Sequence, residues 1–474
     1  MRKSAPRSAA QRPRVVLAAR TWRARVAVLF GGAAVLFATS SCVWDGLDEY
    51  SSKYGQTTTS DGGGQSTTTT TTNTGTPCPC GVGQECVAGS CEPCTPLWGH
   101  TFKGLVFNNP FSVSHVFDPG RDQIHVSAIR SDGQQHGYLA SLSHCRGTLL
   151  HVHDGDLVGS TPLPPLSFMA LSSPAAVPQV AAQVFAGLHV SGDAVNPPQS
   201  LGGFVRYDPG TGELLSIVEN TDSDPAMTSQ APWALATTSK AVWTSGIRAK
   251  ADGAHALAIR WNGVKFCSDE IPDSLGYTGR AITSRGDQVA IAADGPDVRV
   301  WLFDDAVCDP TACGCAPDAS IPSLAMNAPL VMGAKLVSNS ILVSGISGFS
   351  GGNPNWSGFL AQYVFGEDTW RPPIVYDMGP NAEGLIGLDS DGSSVFVGAF
   401  RDYVPGDASS PTAEVQIYGL PFTAGALMQQ RIDAPSLGSI FNLSLDSDGM
   451  ILSGYLRGSG ADGRTVRCTM KACP

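Results

Sequence analysis

The sequence predicts an all-β chain built as a seven-bladed β-propeller, with six or eight blades as the alternative counts. Three observations predict it. First, a short β-branched run closed by a small residue recurs seven times. The copies are Ile124-His125-Val126-Ser127-Ala128, Val184-Phe185-Ala186-Gly187, Val242-Trp243-Thr244-Ser245-Gly246, Val289-Ala290-Ile291-Ala292-Ala293, Ile341-Leu342-Val343-Ser344-Gly345, Val395-Phe396-Val397-Gly398 and Ile451-Leu452-Ser453-Gly454. Second, the closing residues lie 47 to 59 residues apart, the spacing of a four-stranded blade. Third, 54 Gly and 33 Pro among 474 residues, with only 15% charged, suit many short strands joined by turns.

Ahead of the repeats the chain changes character three times. Residues 1–41 combine a basic start with an apolar run of thirteen residues, Val26 to Ala38, and small residues up to Cys42. Thirteen residues at about 1.5 Å each fall short of a roughly 30 Å hydrocarbon core, so the segment reads as a cleaved export signal. Leu36-Phe37-Ala38-Thr39-Ser40-Ser41-Cys42 resembles a bacterial lipobox, with Thr39 where that family prefers Leu; the resemblance implies a lipidated Cys42, and cleavage to a freely secreted protein is the alternative. Residues 42–76 are dominated by Ser, Thr and Gly, have little to bury, and read as a solvated tether.

Residues 77–96 hold Cys78, Cys80, Cys86, Cys91 and Cys94, which in an exported chain read as a disulfide knot. Zinc is the rival reading, but only Cys91 and Cys94 have C-x-x-C spacing. Five is odd, so full oxidation requires a bond outside the cluster, to one of Cys145, Cys267, Cys308, Cys313, Cys315, Cys468 and Cys473.

The propeller is expected over residues 97–474. Its first copy reads as strands at Phe111 to Phe117, Gln123 to Ile129, Gly137 to Ser143 and Thr148 to His153, separated by Gly-containing turns. The last copy is one strand short, and Trp98 to Phe107 is the spare strand that would close the ring and remove its free edges. Cys468 or Cys473 bonded to the knot near Cys94 would lock that closure. Turns between first and second strands and between third and fourth strands are short. Connections between second and third strands and between blades are long, as in Ser347 to Ser357 and Arg401 to Thr412. In an up-and-down blade the long classes emerge on one face, which is where scaffolds carry binding residues.

On that face Arg130, Arg248, Arg401 and Arg457 leave second strands, and their forked donors suit carboxylate, sulfate or phosphate; a solvated strand end is the plainer reading. Trp233, Trp356 and Tyr403 suit stacking on sugar rings, or anchoring of the loops. Asp402, Asp407, Asp222 and Asp224 are the carboxylates available for acid–base work, with nothing in their spacing to set them apart. His151 and His153 share one face of a predicted outermost strand but lack the further ligands of a metal centre, and the Asp-Ser-Asp-Gly turns lack those of a calcium loop. No cofactor or metal is expected. Eight of the 30 basic residues and none of the 41 acidic ones lie in residues 1–41, so the remainder carries 22 against 41, a formal −19, which argues against nucleic acid.

The Arg-rich signal with Cys42, the Thr tract, the C-P-C-G-x-G-Q-E-C-V-x-G-x-C knot and the V-x-V-S-G repeats together resemble Gram-negative surface lipoproteins with a propeller ectodomain. Tyr207-Asp208-Pro209-Gly210-Thr211-Gly212 looks like the D-x-x-T-G turn of quinoprotein-like propellers. The reading is an exported, lipid-anchored monomer of the outer membrane or cell surface, its membrane contact limited to the lipid. Its propeller binds a glycan or a surface protein without catalysis. A carbohydrate-active enzyme on the same face and a purely structural surface protein are the alternatives.

Overall fold

The computed structural model describes residues 84–87, 90–103, 114–131, 135–154, 157–158, 161–162, 166–171, 175–177, 180–190, 202–219, 227–308, 315–349, 355–404, 407, 409–422, 428–459 and 462–474. All lie within one compact unit, Gln56–Pro474. The expected signal, Cys42 and the tether fall outside the described residues, as do Cys78, Cys80, Cys313, Asp222, Asp224 and the side chains of Cys86 and Arg130. Among the described residues no helix is long and apolar enough to cross a membrane.

Seven sheets follow one another as the blades of a propeller. Blade 1 is Ser114–Asp118, Gln123–Ser131, Gln135–Ser143 and Leu149–Asp154. Blade 2 is Leu166–Leu171, Val180–Val190, Gly202–Tyr207 and Leu214–Glu219, with Ala175–Val177 added beside its second strand. Blade 3 is Met227–Thr237, Val242–Lys250, Gly253–Trp261 and Phe266–Leu275, and blade 4 is Thr278–Arg285, Gln288–Asp294, Val298–Asp304 and Ala319–Leu324. Blade 5 is Leu330–Val337, Ser340–Ser347, Ser357–Val364 and the short pair Thr369–Trp370 and Ile374–Tyr376. Blade 6 is Ala382–Ser390, Ser394–Tyr403, Thr412–Gly419 and Met428–Ala434; Leu437–Leu445, Gly449–Leu456 and Gly463–Thr469 begin blade 7.

The repeated run is the second strand of each blade, covered on both faces by neighbouring blades, which is why it reads as continuously apolar. Alternate residues serve opposite neighbours. Ile341 and Val343 pack with Ala290, Ala292 and Val300 of blade 4. Leu342, between them, packs with Leu385, Val395 and Val397 of blade 6. First strands of successive blades touch one another around the axis, and Leu437–Leu445 touches Ser114–Asp118, so the ring is closed.

Closure uses the spare strand, over Trp98–Phe102. It pairs antiparallel with Gly463–Thr469, from Trp98↔Arg467 to Phe102↔Gly463, as the fourth strand of blade 7. Trp98 Nε1 donates to the His144 carbonyl at 2.8 Å, which ties that blade to blade 1. At the same seam His115 is buried between Ser453 Oγ at 2.9 Å and Ser444 Oγ at 2.8 Å, and burial lowers its pKa to about 3, keeping the imidazole neutral.

The expected lock between Cys94 and the C-terminus is corrected. Cys468 bonds Cys473, five residues on, and Cys94 bonds Cys145 in a turn of blade 1. Leaving the hairpin Gln84–Val87/Ser90–Pro93, the chain crosses that turn before entering blade 7, with Thr95 N donating to Cys145 O at 3.0 Å. Cys94 thus meets blade 1 before it reaches the last strands. Cys308–Cys315 is a further bond, and Cys91 and Cys267 are also disulfide-bonded.

The small residue closing six of the seven runs lies at an irregularity of the ladder. Opposite it the first strand carries an extra residue: Trp233 opposite Gly246, Arg280 opposite Ala293, Met332 opposite Gly345 and Phe441 opposite Gly454. Blade 2 bulges between Phe168 and Leu171, beside Gly187, and blade 6 between Leu385 and Leu388, beside Gly398. At Gly246, Gly345 and Gly454 a first-strand carbonyl is turned onto the glycine. An added Cβ would meet Ala231 O at 2.1 Å at Gly246, Leu330 O at 2.2 Å at Gly345 and Ser439 O at 1.7 Å at Gly454.

Candidate binding face

The two faces of the ring differ in what their charges do. On the tight-turn face carboxylates brace turns and seams. Asp391 Oδ1 accepts from Ser393 N at 2.8 Å and Ser394 N at 2.7 Å, and Asp446 Oδ1 from Asp448 N at 3.0 Å and Gly449 N at 2.6 Å. The Asp-Ser-Asp-Gly sequences are therefore hairpin turns whose side chains serve their own backbone. Asp305, fully buried, takes Arg260 Nε at 2.6 Å and the Thr238 hydroxyl, and Lys335 pairs with Asp389 at 2.6 Å. The Cys94–Cys145 bond lies on this face, so the chain enters the propeller here.

The long-loop face carries the sequence-predicted residues, and the structure places most of them in internal contacts. Arg248 is 4% exposed, with Nη2 donating to Gln230 Oε1 at 3.2 Å, to Ser268 O at 3.3 Å and to the Ser268 hydroxyl. Arg401 spans Asp402 at 3.1 Å and Glu414 at 3.2 Å. Arg457 stays exposed, with one long bond from Nε to Ser409 O at 3.3 Å. The guanidinium groups of Arg248 and Arg401 are thus held by this chain's own acceptors. Arg130 ends its strand opposite His136, and its side chain lies outside the described residues.

The aromatic residues are also turned inward. Trp356 and Tyr403, each 8% exposed, stack on one another at 5.8 Å and 20°, with Phe349 5.0 Å from Trp356. The half-buried Trp233 has the Arg280 guanidinium 4.6 Å above its ring. Trp356 and Tyr403 thus pack in the manner of loop anchors. Trp233 and Arg280 are the bulged residues of adjacent first strands, and the bulges bring them together. Arg280 Nε pairs with Asp294 Oδ1 at 3.2 Å, and burial pushes the Asp294 carboxyl up against the opposing pull of Arg280.

Blades 5 and 6 share a polar buried corner. Glu414, 1% exposed, is saturated by Arg431 Nε at 2.8 Å, Arg401 Nε at 3.2 Å, Tyr376 OH at 3.0 Å and Gln416 Nε2 at 2.7 Å. Asp402 holds φ at +61°, a left-handed conformation that Asp tolerates better than most residues, and keeps its carboxylate half exposed. Glu383 is fully buried, with Oε2 accepting from Met378 N at 2.7 Å and Oε1 without any hydrogen-bond partner. Its own N donates to Trp356 O at 3.0 Å, and Trp356 Nε1 is likewise buried and unpartnered. Burial, then the charges of Asp377, Asp402 and Glu414, push the Glu383 carboxyl above its ordinary range against the Met378 hydrogen bond.

That shift has a testable consequence. A carboxyl whose folded pKa is raised contributes its full stability below the unfolded value, about 4.3, and loses it as pH rises through the folded value. Glu383→Gln is expected to stabilise the protein by roughly 1 kcal/mol at pH 7 and to change nothing at pH 4. Urea melts at the two pH values check it; a loss of stability at pH 7 would show the ionised carboxylate to be compensated.

Sequence reasoning missed Glu383, Glu414, Tyr376, Arg431, Arg280 and Asp294. The signal for the first two was present: Ala382-Glu383-Gly384-Leu385 and Ala413-Glu414-Val415 put a carboxylate inside an apolar strand run. Two other constellations are not reaction centres. Ser141, His125 and Asp118 have the residue types of a hydrolytic triad, and His125 Nδ1 is 2.8 Å from Ser141 Oγ. But Ser141 and His125 are buried away from any substrate, the Ser141 hydroxyl is also 2.8 Å from Tyr207 OH, and His125 Nε2 is 3.8 Å from Asp118. His151 lies under the Gly212 turn of blade 2, where an added Cβ would meet its Cβ at 2.6 Å. Among the described residues no group of three or more His, Cys, Asp or Glu is placed to hold a metal ion.

No family model matches the chain, and no curated protein does. Solved structures with a similar course include U3-55K, 12% identical over 78% of this chain and 98% of that one, with a TM-score of 0.43. The β-propeller domain of a Myceliophteria thermophila protein is 10% identical over 76% and 97%, with a TM-score of 0.44. An ulvan lyase from a new polysaccharide lyase family is 9% identical over 78% and 95%, with a TM-score of 0.47. These are likenesses of fold and say nothing of ligand or activity.

Proposed function

We propose that the protein is an exported, lipid-anchored component of the cell envelope, whose propeller is a non-catalytic binding module for a glycan or a surface protein. The observation that carries the reading is the polarity of the ring. The knot enters on the tight-turn face, where charges are closed into turns and seams. The opposite face carries the exposed Arg457, the half-exposed Asp402, and a buried corner with two unpartnered polar atoms. A strained Asp402 and bulged first strands at this end are features that collect at binding sites.

The full-length chain in detergent is expected to bind a subset of a glycan array and to leave the bound saccharides intact. Depolymerisation of a polysaccharide, abolished by Asp402→Asn, would assign an enzyme instead; no binding to saccharides or surface proteins would reduce the propeller to a structural role. Anchoring is tested separately by fatty-acid labelling in the producing cell, expected for the natural chain and lost in Cys42→Ser. Label that persists in Cys42→Ser would overturn it.

A further inference from the structure

We infer that the Glu383 corner is a subsite for an amino sugar, a pyranose with a free ammonium group beside a hydroxyl; the inference rests on the glycan half of the reading above. Glu383 is fully buried with Oε1 unpartnered, and Trp356, 8% exposed, has Nε1 unpartnered. The backbones of the two residues are joined by the hydrogen bond from Glu383 N to Trp356 O at 3.0 Å, so an orphan acceptor and an orphan donor sit on paired residues. Leaving such groups unpaired is costly, and a ligand that supplies both partners relieves it.

The local charges select which ligand. Arg401 and Arg431 are held by Asp402, Glu414 and Asp433, and the charges bearing on Glu383 are those of Asp377, Asp402 and Glu414. An anionic sugar would be repelled, and a neutral hydroxyl would leave the buried charge unmatched. An ammonium group matches both the charge and the lone pair of Glu383 Oε1 with a charge-assisted hydrogen bond. The neighbouring hydroxyl oxygen then accepts from Trp356 Nε1.

Access is through a thin cover. Met378, whose N holds Oε2, is 66% exposed, and an added Cβ at Gly379 would meet nothing within 4 Å, so the chain beside the carboxylate faces open space. A ligand reaches the carboxylate by displacing this stretch, and Met378 offers apolar contact to the carbon face of a sugar ring.

Calorimetric titration of the full-length protein with glucosamine, N-acetylglucosamine and glucose tetramers tests the assignment. The free-amine tetramer is expected to bind at least about tenfold tighter than the other two, the scale of one charge-assisted hydrogen bond. Glu383→Gln, a substitution expected to keep the fold, removes that preference, and Trp356→Phe weakens binding of the same ligand. Equal binding of all three tetramers, unaffected by Glu383→Gln, overturns the subsite and leaves the glycan reading standing. No binding of any saccharide, on the array or in titration, overturns the glycan reading and the subsite with it. Binding of poly-lysine as tight as that of the amine tetramer overturns the commitment to a sugar.

Discussion

Gly454→Ala is expected to destabilise the protein by about 2–4 kcal/mol, more than any other single-methyl addition considered for the repeats. The methyl would sit 1.7 Å from Ser439 O and 2.9 Å from Ser439 C, both backbone atoms of the neighbouring strand, so no rotamer change relieves it. The first strand must flatten its bulge or leave the ladder. Overpacking in a closed core costs about 1–3 kcal/mol, and a lost ladder bond adds about 1. Gly345→Ala and Gly246→Ala should follow with somewhat smaller losses, since their carbonyls stand at 2.2 and 2.1 Å. Gly379→Ala is the control, an open position where the change should stay within about 0.5 kcal/mol. Urea denaturation of the four variants decides the matter. A Gly454→Ala protein as stable as the Gly379→Ala control would mean that the bulges are not the reason for the small residue.

The same glycines show how far the sequence could be read. The β-branched run was visible because alternate residues face two different blades, so both parities had to be apolar, as Ile341, Leu342 and Val343 are. The closing Ser-Gly was visible as a repeat mark, while its cause was not: a bulge is a one-residue offset between two strands, and neither strand alone records it. Closure by Trp98–Phe102 followed from counting strands. The partner of Cys94 did not, because Cys145 is 51 residues away and its nearness depends on how blade 1 meets blade 7. The arginines mark the same boundary. A second-strand Arg looks like an open fork until the third strand supplies its carboxylate, as Glu414 does for Arg401. Fold was legible because it depends on local pattern, and the site was hidden because charges such as Arg401 and Arg431 are matched by a carboxylate from another strand.

Asp446 tests that non-local matching where it matters most, at the seam that closes the ring. Its side chain is fully buried in the tight turn of blade 7, with Oδ2 accepting from Arg467 Nε at 2.8 Å and lying 2.8 Å from His144 Nε2 in blade 1. His144 Nδ1 reaches Asp122 at 2.8 Å, and the next residue carries the Cys94 disulfide, so one carboxylate joins the last blade to the first beside the knot. Asp446→Ala removes the acceptor and leaves Arg467, 7% exposed, and His144, 11% exposed, facing a gap. Breaking a buried pair in this way costs about 3–5 kcal/mol. The effect should depend on pH. Burial alone would raise the Asp446 pKa, but the bonds to His144 and Arg467 outweigh it and hold the carboxyl well below its ordinary value. A depressed folded pKa gives stability that is present above the unfolded value of about 3.9 and is lost as pH falls through the folded one. Asp446→Asn keeps an acceptor for the turn amides but not the charge, so it should cost less than Ala at pH 7, and its deficit should shrink below about pH 4. Urea melts at pH 7, 5 and 3 measure both variants. An Asp446→Ala protein within 1 kcal/mol of the natural chain at pH 7, or an Asn deficit unchanged at pH 3, would show that the Trp98–Phe102 strand and the disulfide hold the seam without this carboxylate.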